Sequence, residues 1–373
     1  MLYVDIPTQP EFRSLVSERA DACVSIYLET TPLSQDAGAG RIELGNLAKQ
    51  ALAQLEAVPL DKRRRAAIEE QIADLADDDE FWKFQANSLA VLATPDGIRT
   101  YRLPNKLKSA VEVSDRYHLK PLLRAITFPH GALVLALSEN AVRLVEVFAG
   151  LPPVTVKVPG LPKDAASFAG TSNINSRSAS GRIHGSEGQK VRLRQYARQI
   201  DSALRPVLAG RDTPLILAAI EPLEPIYRSV NTHPGLAGDT ISDSPDRISD
   251  ADIAAAARPI LDRIYAGQVE GIKALFDKRA GEGRATTDIS DAARAATYGA
   301  VSEMLVDIDD VVPGTVDDAD GRVTFAKETG AGSYGVLDEI AGRAMLAGAR
   351  VLGVRRDDIP GKSGIAAILR YPI

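Results

Sequence analysis

One stretch of the sequence combines glycine, histidine, glutamine and clustered arginine, residue types that suit close contact with an anion. Residues 184–189 are His-Gly-Ser-Glu-Gly-Gln, and a helical pattern follows them. Glycine lets the backbone adopt conformations that other residues avoid and lets another molecule approach closely. Lysine and arginine side chains reach and neutralise phosphates. The candidate anion-contacting side chains are His184, Lys190, Arg192, Arg194 and Arg198.

The helix after this stretch is predicted to be amphipathic and basic. Between Arg177 and Arg205 there are seven Lys and Arg against two Asp and Glu, a balance of +5 in a chain of net charge −6. A basic segment in an acidic protein is typical of an anion contact. We expect a kink or stop at Pro206, with Gly210 ending the helix. The alternative is a solvated loop and surface helix without a ligand. The apolar residues that repeat at helical spacing are Leu193, Tyr196, Ala197, Ile200, Leu204 and Val207.

Composition limits the class of protein. The chain has 373 residues, 45% hydrophobic and 25% charged, which suits a globular protein of two or three domains. No apolar run approaches the ~20 residues of a membrane-spanning helix, and the N-terminus lacks the pattern of a signal peptide. Cys23 is the only cysteine, so no intramolecular disulfide can form. We therefore expect a cytoplasmic protein without a membrane partner.

The sequence predicts neither a metal nor a cofactor. The four histidines are isolated from one another and form no ligand pair with cysteine. A glycine pattern at 330–335 fits G-x-G-x-x-G, but only 38 residues follow it, too few for a dinucleotide-binding sheet. Paired carboxylates, a Ser-His-Asp set and a Cys-His pair are also missing as sequence motifs.

Strand and helix patterns predict an α/β protein, α+β overall, with three domains. The first, 1–125, contains a strand, two helices and a hairpin. The second, 126–246, contains a mixed sheet, a long loop at 170–190 and the basic helix. The turn-rich, acidic segment after Tyr227 leads to a boundary near Asp246. The third domain, 247–373, alternates helices and strands and is predicted to be a three-layer α/β domain.

A second basic feature lies in the predicted first domain. Residues 62–65 are Lys-Arg-Arg-Arg and begin a predicted helix. Positive charge at a helix N-terminus opposes the helix dipole. The run is either paired with the acidic region 74–80, bound to an anion, or a solvated face.

Several segments resemble known proteins. Residues 184–189 resemble the His-Gly-x-Gly-Gly-Gln loop of archaeo-eukaryotic class-I release factors, with Glu187 in place of the first glycine of the pair. Residues 300–306, 348–352 and 365–371 look like the last domain of Pelota and the release factors, which is related to the kink-turn-binding ribosomal-protein fold. Over nearly its full length, the sequence therefore resembles the bacterial archaeo-eukaryotic release factor family.

The resemblance implies a ribosome-associated protein that binds ribosomal RNA near the tRNA site, in ribosome hibernation or in rescue of stalled ribosomes. The resemblance is compatible with a translational GTPase as a partner and does not imply binding to DNA. In the release factors, the residues matching Gly188 and Gln189 help water attack the peptidyl-tRNA ester. Glu187 departs from that pattern, because its Cβ restricts the backbone and its carboxylate repels RNA phosphates. The alternatives are therefore a peptidyl-tRNA hydrolase using Gly188 and Gln189, and a protein-interaction module using the acidic C-terminal surface.

Overall fold

The polypeptide folds into two compact units. We call Met1–Pro129 with Ala266–Ile373 the terminal unit and His130–Tyr265 the central unit. The mixed α/β class predicted from the sequence is confirmed, while the division into three domains stays a prediction. The computed structural model describes residues 4–31, 37–128, 131–148, 152–168, 186–210, 213–327 and 333–372.

The N-terminal segment forms an antiparallel sheet with strand order β3-β2-β1-β4. Strand β1 is buried on both faces because its alternate residues enter two different cores. Val24 and Ile26 pack with α2 and α3, whereas Cys23 and Tyr27 face the opposite core. The elements are α1 (Gln9–Ser17), β1 (Cys23–Glu29), α2 (Ala37–Leu55), α3 (Lys62–Asp77), α4 (Asp79–Trp82), β2 (Ser88–Thr94), β3 (Gly97–Leu103), β4 (Ala110–Ser114) and α5 (Lys120–Thr127).

The central segment forms the predicted mixed sheet, with strand order β7-β6-β5-β8-β9. Neighbours β5 and β8, and β8 and β9, are parallel, whereas β5 with β6 and β6 with β7 are antiparallel. The elements are β5 (Gly131–Leu137), β6 (Val142–Phe148), β7 (Val154–Val156), α6 (Ala165–Phe168), α7 (Ser186–Leu208), β8 (Leu215–Ala219), α8 (Leu223–Val230), β9 (Leu236–Ile241) and α9 (Asp250–Ala280).

The turn-rich segment after Tyr227 also contains a strand, β9, that the sequence pattern did not predict. Few of its residues are apolar, and Ala237 and Ile241 are the buried ones, so the period-2 signal of a strand is weak. The strand forms because it pairs with β8 at the sheet edge. The Arg228 guanidinium also donates to the carbonyls of Ala237 and Gly238, each at 2.9 Å. Side-chain donors thus bind carbonyls of an edge strand.

The predicted boundary near Asp246 is attached to the central sheet. Asp246 accepts hydrogen bonds from Ser138 and Asn140, in the turn between β5 and β6. The Arg143 guanidinium forms an ion pair with Asp250 at 2.9 Å and also donates to the carbonyls of Pro245 and Ile248. The chain is therefore fixed against the sheet where it enters α9.

Helix α7 runs through Pro206, where a kink or stop was expected, and ends at Leu208. A proline near the last turn removes only one backbone donor, and Leu204 and Leu208 remain buried on either side of it. The Ala209 N–H donates to the Arg205 carbonyl at 2.9 Å. Gly210 follows with φ of 73°, a left-handed conformation that favours glycine. The predicted role of Gly210 in ending the helix is confirmed.

The C-terminal segment contains a sheet of order β10-β16-β11-β15 and a small sheet of order β13-β12-β14. Strands β11 and β15 are parallel, and β16 is antiparallel to β11. Helix α11 packs on α10 and β11, and α5 packs on β15. The elements are β10 (Ala285–Thr286), α10 (Ile289–Thr297), β11 (Val301–Asp307), β12 (Pro313–Val316), β13 (Val323–Phe325), β14 (Tyr334–Gly335), α11 (Val336–Leu346), β15 (Arg350–Val354) and β16 (Ile365–Leu369).

The two ends of the chain share one hydrophobic core. Tyr27 and Leu123 from the N-terminal segment belong to the same buried cluster as Ala293, Met304 and Ile340 from the C-terminal segment. Burying apolar surface is the main stabilising contribution to folding. The terminal unit is therefore one structure built from two distant parts of the sequence.

Candidate nucleic-acid interface

Helix α7 is fixed to the central sheet by its apolar side. Leu193, Tyr196, Ile200 and Leu204 are fully buried and pack with residues of β5, β8 and α8. The Tyr196 hydroxyl donates to the Ser138 carbonyl at 3.3 Å, and burial raises its pKa far above its usual value. The predicted apolar stripe therefore anchors a rigid helix.

The opposite side of α7 is basic and exposed. Lys190, Arg194 and Arg198 are exposed, and Arg192 is half-buried. Arg194 and Arg198 are four residues apart, so their side chains extend from one side of the helix. Neither arginine forms an ion pair or a side-chain hydrogen bond with any residue that the structure describes. Their charge is therefore available to a partner.

Arg205, near the end of α7, differs because its charge serves the fold. Its guanidinium pairs with Asp201 at 2.9 Å, and Asp201 is buried. Asp201 also accepts hydrogen bonds from the backbone and hydroxyl of Thr232. This network joins α7 to the chain after α8.

The glycine–glutamine pair lies in a different setting from the one expected. Helix α7 begins at Ser186, so Gly188 and Gln189 belong to its first turn and not to a loop. An acidic residue in the first turn favours a helix, so the presence of Glu187 agrees with a helix that begins at Ser186. Gly188 is buried, and the Gln189 amide donates to the Glu139 carboxylate at 3.4 Å. His184 and most of the 170–190 loop lie outside the described residues.

The terminal unit contains a buried polar cluster that the sequence analysis missed. The Lys120 ammonium donates to the backbone carbonyls of Asp307, at 2.9 Å, and of Asp310. The Leu119 N–H donates to the Asp338 carboxylate at 2.9 Å. His118 Nδ1 lies 4.0 Å from the same carboxylate. The signal in the sequence was a polar residue on each side of Leu119 in an otherwise apolar run, because buried polar groups need partners.

Burial changes the ionisation of this cluster. It raises the pKa of the Asp338 carboxyl to about 6 and lowers the pKa of the His118 imidazole to about 4. It also lowers the pKa of Lys120, although nearby carboxylates oppose this effect. In each case the low polarity of the surroundings disfavours the charged form.

A second ionic group lies beside the cluster. The Glu339 carboxylate lies 2.6 Å from the Arg116 guanidinium and 2.7 Å from that of Arg343. Burial alone would raise the pKa of Glu339, but the arginines outweigh burial and lower it. The Arg116 guanidinium also stacks 3.8 Å from the centre of the Tyr334 ring. These charges join the two ends of the chain and are satisfied within the protein.

The described residues contain no group of three or more His, Cys, Asp or Glu placed to hold a metal ion. Ser333, Tyr334 and Gly335 of the 330–335 glycine pattern are described, and Tyr334 and Gly335 form β14. Among the helices of the described ranges, none is both long and apolar enough to cross a membrane.

Comparison with solved structures finds proteins of translation termination and quality control. The archaeal translation termination factor aRF1 is 14% identical, with 98% of this chain and 99% of that chain covered and a TM-score of 0.25. Dom34 of S. cerevisiae, described as a translation termination-like factor that interacts with Hbs1, is 12% identical over 77% of this chain and 80% of that one, with a TM-score of 0.41. Pelota of Archaeoglobus fulgidus is 12% identical over 99% and 94%, with a TM-score of 0.31.

A comparison with curated proteins returned no match. A family model does match, over the segment that contains the central sheet and α7. Residues 129–267 match the model of bacterial archaeo-eukaryotic release factor family 11, which confirms the resemblance to this family predicted from the sequence.

Proposed function

We propose that this chain is a ribosome-associated translation factor whose helix α7 contacts ribosomal RNA near the tRNA site. The observation that carries the proposal is the pair of exposed arginines, Arg194 and Arg198, which have no ionic partner among the described residues. The family match supports the choice of the ribosome as the partner, because it covers the segment that holds α7. The cellular role is hibernation or rescue of ribosomes in the cytoplasm.

The setting of the two arginines suits an RNA backbone. Phosphate contacts require positive charge and reach, and they carry no sequence information. Because the apolar side of α7 is buried in the sheet, the backbone that carries Arg194 and Arg198 is ordered before binding. Such preorganisation reduces the entropy lost on association.

The esterase alternative has less support from the geometry. Gly188 and Gln189 are helical, and the Gln189 amide is hydrogen-bonded to Glu139. Hydrolysis on the ribosome requires these residues to enter the reaction centre, and a misplacement of about 1 Å can cost on the order of a hundredfold in rate. We therefore expect occupation of ribosomes without release of peptide.

Peptide release from stalled ribosomes separates a binder from an esterase. The unaltered chain should release little or no peptide, and Glu187→Gly, which restores the glycine pair, at most slight amounts. Gln189→Ala is the matched control. Robust release by the unaltered chain that is lost in Gln189→Ala would make the protein an esterase.

Ribosome affinity measured against salt concentration tests the RNA contact. The binding constant falls as the salt concentration rises. In the double variant Arg194→Ala/Arg198→Ala, the magnitude of the slope of log K against log salt should decrease by about two units, one for each lost phosphate contact. The control is Arg258→Ala/Arg263→Ala, which removes two exposed arginines from α9 in the same unit. An unchanged affinity and slope for the α7 variant would contradict the proposal.

A further inference from the structure

The basic run at the start of α3 does not stabilise its own helix. Asp61 caps the helix by accepting a hydrogen bond from the Arg63 N–H at 2.6 Å. Lys62 and the three arginines that follow it then occupy the first turn, where positive charge opposes the helix dipole. Their charge therefore does not support the start of α3.

Arg64 alone in the run has ion pairs within the described residues. Its guanidinium lies 3.1 Å from the Asp21 carboxylate and 3.3 Å from that of Asp96. Asp96 is in the turn between β2 and β3, so Arg64 ties the first turn of α3 to the sheet. The start of the helix is thereby held in place.

Lys62, Arg63 and Arg65 have no such role. Lys62 and Arg63 are exposed and Arg65 is half-buried, and none has an ion pair or a side-chain hydrogen bond with a described residue. The Nε of Arg65 is withdrawn from solvent without a hydrogen-bond partner. Three cationic side chains without an ionic partner among the described residues thus lie within one helical turn.

Three carboxylates of the acidic region 74–80, which the sequence offered as a partner for this run, are paired with other cations. Asp77 and Asp79 both form ion pairs with Arg41, and Glu80 pairs with Lys83. Pairing of the basic run with this region is therefore excluded as the explanation of its charge.

The surroundings favour a phosphate backbone over a protein partner. Protein interfaces have an apolar core inside a polar rim, but the side chains next to the run, Ala66 and Ala67, are small. The nearest large apolar residue along the helix, Ile68, is buried. Charge without an apolar anchor is sufficient for phosphate contacts.

We infer that Lys62, Arg63 and Arg65 form a second RNA-backbone contact, in addition to the one proposed for α7. This inference rests on the proposed function for its partner, ribosomal RNA. The surface belongs to the terminal unit, outside the segment 129–267 that matches the release factor family.

The test compares the triple variant Lys62→Ala/Arg63→Ala/Arg65→Ala with the unaltered chain, using purified ribosomes over a range of salt concentrations. The magnitude of the slope of log K against log salt should decrease by about three units. The control, Lys83→Ala/Arg294→Ala/Arg322→Ala, removes three exposed cations of the same unit that are ion-paired within the fold. The control should retain the slope, and neither variant should have a lower melting temperature than the unaltered chain.

The outcomes separate this inference from the proposed function. One outcome is that the α7 double variant reduces the magnitude of the slope while the α3 triple variant stays within about one unit of the unaltered chain. In that case the inference on α3 fails and the proposal for α7 stands. If only the α3 variant reduces the magnitude of the slope, the proposal for α7 fails and the α3 contact stands. Loss of binding to anionic lipid vesicles without any change in ribosome binding would assign the run to a membrane surface and overturn the inference. Failure of the unaltered chain to bind both ribosomes and free ribosomal RNA would overturn both.

Discussion

The charged residues of α7 differ from those around α5 in their exposure to solvent and in their bonding partners. Arg194 and Arg198 are exposed and lack ionic partners among the described residues. Lys120 is buried and Asp338 is half-buried, and both are hydrogen-bonded to backbone groups of distant segments. The difference indicates that charge near α5 stabilises the fold, whereas charge on α7 is available for binding.

The largest expected effect concerns Lys120. Lys120→Ala removes the donor to the carbonyls of Asp307 and Asp310 and leaves a cavity in a core shared by both ends of the chain. Unsatisfied buried carbonyls and lost packing together should lower the free energy of unfolding by about 4 kcal/mol. Urea unfolding measures this change.

Lys83→Ala is the matched control for Lys120→Ala. Lys83 is exposed and pairs only with its neighbour on the helix, Glu80, and exposed pairs contribute little. Equal stabilities of the two variants would contradict a structural role for Lys120.

The second effect is a change in how stability depends on pH. As the pH falls from 6.5 towards 4, the unfolded chain takes up a proton at His118 before the folded protein does, because burial lowers the pKa of this group in the fold. The free energy of unfolding therefore decreases. Asp338 acts in the opposite sense, because burial raises its pKa and the folded protein binds its proton first.

In the variant Asp338→Asn, the contribution of His118 to the pH dependence of stability should no longer be opposed by Asp338. The variant keeps an oxygen that can accept the Leu119 N–H but no longer gains stability from protonation. We expect it to lose about 3 kcal/mol of unfolding free energy between pH 7 and pH 4, and the unaltered chain to lose less. The pKa of Glu112 is raised by burial as well, and this group remains in both proteins.

Urea unfolding at the two pH values measures this difference, with Asp77→Asn as the control because Asp77 is almost fully exposed. If Asp338→Asn and the unaltered chain depend on pH in the same way, Asp338 does not oppose His118.

The smallest expected effect is on the stability of the α7 variant. Arg194→Ala/Arg198→Ala should change the free energy of unfolding by less than about 0.5 kcal/mol, because exposed side chains without partners contribute little. Ile200→Ala, on the buried side of the same helix, is the comparison and should cost about 3 kcal/mol. A loss of more than 1 kcal/mol in the arginine variant would show that these charges serve the fold.

The two regions also differ in how far sequence predicts them. The apolar stripe of α7 and its basic side follow from a period of 3.6 residues, and both are confirmed. The contact of Leu119 with Asp338 joins residues 219 positions apart, and no local pattern specifies such a pair. Strand β9 was missed for a related reason, because its pairing with β8 and its contacts with Arg228 come from the fold.

The glycine–glutamine pair shows where a motif misleads. Similarity to a loop placed Gly188 and Gln189 before the helix, whereas the structure includes them in its first turn, where the acidic Glu187 is favourable. The chemical role of the pair stays a prediction that the release assay tests.

The core of the terminal unit is completed late in protein synthesis, because it contains residues from both ends of the chain. During synthesis, the residues of β1 and α5 leave the ribosome well before α10 and α11, which complete their core. At 5–20 residues per second this delay is on the order of 10–60 s. The core of the central unit, built from consecutive sequence, can close during that interval. Until then, one apolar face of the newly made N-terminal sheet stays uncovered, and exposed apolar surface of this kind favours aggregation.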